Sequence, residues 1–299
     1  MSTSEMQSCL ARLYVDEPFR RLLRLEPEAT LNGYCLTPDE RAAIEGINVR
    51  MLDFFAASLV NKRRKRIERA FPLLFLLDSH EMERYYARYF QLATAWPGSK
   101  FVNEVVAFGG YLEESLLQPE KMPMYARDLA KYELLYYLAS FFSPAEAATK
   151  ITQHSELVAK PSLDPEARPR LRDGVHIANF HYDVINIEKA LQEGITPHPE
   201  RLDPGFAIVF CPATSESSAR MMRLNHSSKV VLDHCNGCRD VLKIATDVQS
   251  TLGTKGLENA ISDTVNRLLS AQVLVLVTDP YEEVSAIPRF QGTAPNEAM

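Results

Sequence analysis

From Glu5 to about Phe142 apolar residues recur every three or four positions, interrupted at Pro, Gly or Asp, a spacing that predicts a succession of amphipathic helices. MQSCLARLYV ends before Asp16-Glu17-Pro18, and FRRLLRLE follows with Pro18 at its start, where a missing N–H costs nothing. Thr37-Pro38-Asp39-Glu40 spells a capping box, Thr before Pro and Glu three residues on, and opens the helix DERAAIEGI. A longer helix, NVRMLDFFAASLVNKRRKRIERAF, begins after Gly46 and stops at Phe71-Pro72. LLFLLDSHEMERYYARYFQLAT and FVNEVVAFGGYLEESLL predict two more. The last, MYARDLAKYELLYYLASFF, carries a stripe of Leu129, Tyr132, Leu135, Tyr136 and Phe142.

The period fails between Ser143 and Arg172, where Pro144, Pro161, Pro165 and Pro169 accumulate. That stretch predicts a linker between two domains. Beyond it VHIANFHY and FAIVFC read as strands. SSARMMRLN reads as a third, with Ala219, Met221 and Arg223 alternating against Arg220, Met222 and Leu224. Three short helices follow, from SSKVVLDHC, RDVLKIATDVQSTL and LENAISDTVNRLLSAQ, and the last leads into VLVLV. The tail from Ser285 to Met299 has no apolar period and is expected to be disordered. The reading is therefore α+β: an all-helical bundle over 1–142, a proline-rich linker over 143–172, a mixed domain with a small antiparallel sheet over 173–284, and a tail over 285–299.

A chain of 299 residues, 46% hydrophobic, can bury cores for two such domains. No apolar run reaches the roughly 20 residues of a membrane helix, and MSTSEMQSCLARLYVDEP lacks a basic start and apolar centre, so the expected address is the cytoplasm. A formal net charge of −6 gives no general attraction to phosphate backbones. The run from Lys62 to Arg66 is the one strong basic feature, and on a helix it fans around more than half the circumference. A solvated helix face with long stems over the core accounts for it better than a nucleic-acid site.

Candidate chemistry is sparse. There is no HExxH, GxSxG, P-loop or GxGxxG. His176 and His181 sit five apart on a predicted strand, so they point to opposite faces. Asp39, Glu40, Glu81 and Glu83 read as helix-start or solvated acids. Tyr85, Tyr86, Tyr89, Phe90 and Trp96 have the spacing of core or interface aromatics. The five cysteines are expected to be reduced. Cys235-Asn-Gly-Cys238 has the spacing of a metal or redox pair. It lacks the second pair that a structural zinc site needs and the strand-to-helix turn that a redox site needs. The better reading packs Cys235 into a helix end, with Gly237 as a left-handed cap. No metal site is expected in this chain.

Leu224-Asn225 ending a strand, Asn236-Gly237 in a turn, Asp240-Val241 opening a helix and Leu268-Leu269 closing another resemble the PqqD-like RiPP recognition element, a winged-helix-like peptide-binding domain. Arg63, Arg66, Pro72, Tyr85, Phe90, Phe108, Leu112, Leu129 and Glu133 lie in an order similar to the helical domain of partner proteins that accompany multinuclear non-haem iron enzymes in ribosomal peptide modification. The resemblance implies an accessory subunit and no enzyme. Its heterodimer partner, a multinuclear iron oxidase, would hold the iron, with no cofactor in this chain.

It further implies that the leader of a precursor peptide adds as a strand to Arg220, Met221, Met222, Arg223 and Leu224, with Asp263, Asn266 and Arg267 on the opposite wall. Arg63, Arg66, Tyr85 and Tyr89 would dock the partner. The alternative is a winged-helix DNA-binding regulator, against which the helix after Gly256 offers one Arg and two acids.

Overall fold

The computed structural model describes residues 2–92, 101–117, 121–141, 164–214 and 217–277. Trp96, most of the proline-rich linker and the tail from Ser285 lie outside them. The described chain is helix-rich with a small antiparallel sheet, an α+β arrangement. Its residues fall into two compact units. One comprises Met1–Leu134 and Ile185–His198, the other Leu135–Val184 and Pro199–Met299.

The first unit opens with α1 (Ser2–Val15), α2 (Glu17–Leu25), α3 (Pro27–Leu31) and α4 (Pro38–Glu45). Asp16 caps α2 by accepting from the Phe19 N–H at 2.9 Å. The capping box at Thr37 is present in both directions: Glu40 N–H donates to the threonine hydroxyl, and the Glu40 carboxylate accepts from the Thr37 N–H. α5 (Val49–Ala70) starts at Asn48, whose side chain accepts from Met51 N–H, and Cys9, Leu13, Phe19, Leu31, Ile44 and Leu52 form the core among these helices.

The hydrophobic run after Phe71 predicts one helix, and the chain makes two. α6 (Pro72–Leu77) ends at Asp78, where the backbone is extended, and α7 (Ser79–Leu92) starts afresh with the Asp78 carboxylate accepting from Glu81 N–H. α8 (Phe101–Ser115) and α9 (Ala126–Phe141) complete the helical half, and α9 continues past Leu134 into the second unit. Phe108, fully buried, meets Phe71, Tyr86 and Tyr89 edge-on at centroid distances of 5.6, 6.1 and 5.1 Å.

The second unit contains β1 (Pro169–Leu171), β2 (His176–Phe180), β3 (Phe206–Cys211) and β4 (Arg220–Leu224). It continues with α11 (His226–His234), α12 (Val241–Leu252), α13 (Glu258–Ser270) and β5 (Leu274–Leu276). Between β2 and β3 runs α10 (Val184–Gln192), which the sequence reading does not include. Its residues from Ile185 onward belong to the first unit, where Glu188 accepts from the Tyr132 hydroxyl at 2.5 Å.

β2, β3 and β4 form an antiparallel sheet in that order, with Ala178 opposite Ile208 and Met222 opposite Val209. Alternation divides β3 cleanly. Ala207, Val209 and Cys211 join Val230, Val231, Ile244, Ile261, Val265 and Leu268 in a helix-covered core. Phe206 and Phe210 instead pack with Phe180 on the other face.

β1 pairs with β5, Arg170 opposite Val275, inside the stretch that its prolines mark as linker. His181 lies just beyond β2 rather than on it, and its carbonyl accepts from Leu202 N–H.

Candidate functional site: the β4 edge and the end of α13

The Cys-Asn-Gly-Cys turn is structural in its geometry. Cys235 is 4% exposed, its thiol donates to the Val231 carbonyl at 3.2 Å, and burial pushes its pKa up to about 12. The turn is fixed from outside by β1: Gly237 N–H donates to the Pro169 carbonyl at 2.9 Å, and Asn236 bridges to Arg170. Gly237 has φ of +79°, and a Cβ there would meet Val277 at 3.1 Å and Arg170 at 3.2 Å. Cys238 is exposed, and all five cysteines are free thiols. Among the described residues no group of three His, Cys, Asp or Glu could hold a metal ion.

β4 is one edge of the three-stranded sheet and β2 the other: among the described residues each pairs only with β3. A strand in that position leaves alternate N–H and C=O groups without ladder partners. Arg220, Met222 and Leu224 share a face with the helix-covered core, to which Leu224 and Met222 contribute. Met221 and Arg223 point to the other face. Met221 is 38% exposed, while Arg223 lies 4.1 Å over the Phe206 ring and 3.3 Å from the Asp183 carboxylate.

The C-terminal end of α13 approaches the start of β4, where Arg220 Nη2 donates to the Ala271 carbonyl at 3.3 Å. The helix closes in a Schellman motif, with Val273 N–H on the Leu268 carbonyl and Gln272 N–H on the Leu269 carbonyl, both at 2.9 Å. The left-handed position of such a motif is usually glycine. Here it is Gln272, at φ of 57°, and its side-chain oxygen accepts from Arg172 at 3.2 Å.

The wall residues expected on α13 therefore separate. Arg267 sits one turn before Ala271 on the same face and donates to Thr264 at 3.2 Å. At 3.6 residues per turn Asp263 lies about 80° and Asn266 about 140° around the helix from Ala271. Only Arg267 of the three thus shares the flank that meets Arg220. Sequence reading does not single out Arg172 or Gln272. The Arg172–Gln272 bond spans a hundred residues and leaves no local signature.

The expected docking set separates too. Arg66 is exposed, whereas Arg63 is 7% exposed, pairs with Glu104 at 2.5 Å and lies 4.9 Å over the Phe90 ring. Tyr85 and Tyr89 are buried too, and Tyr89 meets Phe108 in the aromatic core. These three are placed as core side chains, which corrects their assignment to a docking surface: a tyrosine at helical spacing fills the core when a large aromatic partner such as Phe108 faces it. Within the basic run Arg63 pairs with Glu104 and Arg64 with Glu83, so those two charges are neutralised locally. Glu81, expected as a helix-start or solvated acid, stands in the first turn of α7, where it is buried and pairs with Arg84 at 2.8 Å and Lys121 at 3.3 Å.

Among the described residues no helix is long and apolar enough to cross a membrane. No family model and no curated protein matches the chain.

Proposed function

We propose that the chain is a non-catalytic partner subunit that binds the leader of a ribosomally made precursor peptide and presents a cysteine of that peptide to a separate multinuclear iron oxidase. The second unit would act as the PqqD-like, winged-helix-like recognition domain, and the first unit, through exposed residues such as Arg66, would dock the oxidase. Among proteins of this kind the sequence most resembles the partner subunit of 3-thiaglutamate biosynthesis. The observation that carries the reading is the open edge of β4 beside the end of α13. An extended peptide completes such an edge by backbone pairing, and the flanking side chains select its register. The regulator alternative draws less support, because α13 carries Glu258 and Asp263 against the single Arg267, where a major-groove helix needs several basic or amide groups.

Adjacent strand residues direct their N–H groups to opposite edges, so one of Met221 and Met222 points outward. The test titrates the full chain, its Met221→Pro variant and its Met222→Pro variant with synthetic peptides spelled by the short reading frames beside the gene, following anisotropy and far-UV circular dichroism together. One proline variant should stay folded and lose binding, since proline removes an N–H from the open edge. The other should disturb the β3–β4 ladder. Wild-type affinity in both folded variants would place the peptide elsewhere.

A further inference from the structure

At the start of β4 three arginines gather, and among the described residues no acid pairs with them. Arg220 reaches across to the Ala271 carbonyl, Arg172 is held by the Gln272 side chain on the next residue, and Arg267 lies one turn back on the same flank of α13. Among the described residues none of the three has a carboxylate within ion-pair distance, while neighbouring Arg170 and Arg223 both do. Burial pushes the Cys211 thiol up, and Arg220, paired with it across the sheet, and Arg172 are the two nearby charges that partly oppose that rise. One donor is enough to cap the α13 carbonyl. The second arginine is positioned by a glutamine in left-handed backbone, a conformation that costs a residue with a Cβ about 1–2 kcal/mol. Such an outlier beside an open edge points to use rather than to packing.

We infer that this end of the groove takes a carboxylate side chain of the bound peptide, so that the recognised segment pairs an acidic residue with an apolar one two positions away. The inference rests on strand addition at β4 and gives it a register. Arg220 and Met222 share the helix-facing side of β4, two residues apart, and Leu224 follows at the same interval. A strand added to this edge places alternate side chains on that side. One meets the guanidinium groups of Arg220 and Arg172, and its neighbour of the same parity meets Met222. Arg223 faces the other way and is already paired with Asp183, so the opposite face of the added strand carries no such demand. The ligand is an acidic, amphipathic extended peptide, and its carboxylate accepts charge-assisted hydrogen bonds.

Panning a displayed library of random peptides, roughly twelve residues long so as to cover β4 with flanks, against the full chain tests this. Selected peptides should share Asp or Glu two positions from Leu, Ile, Val, Phe or Met. An Arg172→Ala/Arg220→Ala variant, folded by circular dichroism, should bind those peptides about tenfold more weakly. A separate selection on that variant should lose the acid and keep the apolar position. N-methylation of alternate amides in a selected peptide separates the two layers of the argument. Binding lost on methylation, with no acidic preference, overturns this inference and leaves strand addition standing. Binding indifferent to methylation overturns both, as does failure of any peptide to enrich.

Discussion

Burial of the Glu133 carboxyl beneath the start of α6 sets two forces against each other. Removal from water raises its pKa, up to about 8 from the ordinary 4.5, while the N–H groups of Leu73 and Leu74, donating at 2.5 and 3.1 Å, pull it down. Nearby Glu188 adds to the upward side. A carboxyl with a raised folded-state pKa binds its proton more tightly in the folded chain than in the unfolded one. Its stabilising contribution is full below about 4.5 and is lost as pH rises toward 8. Urea midpoints of the wild type should therefore fall across that window, and Glu133→Gln should flatten this part of the slope. The same variant should cost about 1–3 kcal/mol where the wild type is most stable, because an amide cannot accept both N–H groups. A slope unchanged by Glu133→Gln would remove the residue from the account. Local chemistry at this scale is legible only when it is short-range. Thr37 and Glu40 announce their capping box, whereas Glu133 caps a helix sixty residues away.

At the scale of elements, periodicity located the three helices after β4 by their apolar stripes, and the first two also carry side-chain caps at Asn225 and Asp240, whereas α13 has none. It missed the break at Asp78, a single residue of extended backbone between two helical segments. It missed β1, since three residues among prolines show no alternation, and the strand exists only through β5 and the turn at Gly237. That dependence can be measured. Gly237→Ala forces a Cβ into left-handed backbone against Val277 and Arg170, and should cost about 1–3 kcal/mol by chemical denaturation. Gly253→Ala is the control. Its φ is similar at +66°, but nothing lies within 4 Å of the added Cβ, so it should cost less. Equal losses would mean that the β1 contact contributes nothing to the turn.

On the scale of the whole molecule, the chain consists of two compact units, and the α+β class follows from the change of period alone. The candidate site is less accessible to sequence. Arg220 to Leu224 can be picked out by alternation, but an open edge is a property of the assembled sheet, and the arginines beside it come from residues 172, 220 and 267. Backbone pairing at that edge is the central claim, and amide hydrogen exchange reads it directly. With a peptide from the adjacent reading frames bound to the full chain, the outward-facing amides of Arg220–Leu224 should slow by about tenfold or more, as newly bonded strand amides do, and amides on the peptide should slow at alternate positions. Unchanged exchange throughout β4, with protection appearing in the helical unit instead, would contradict the account.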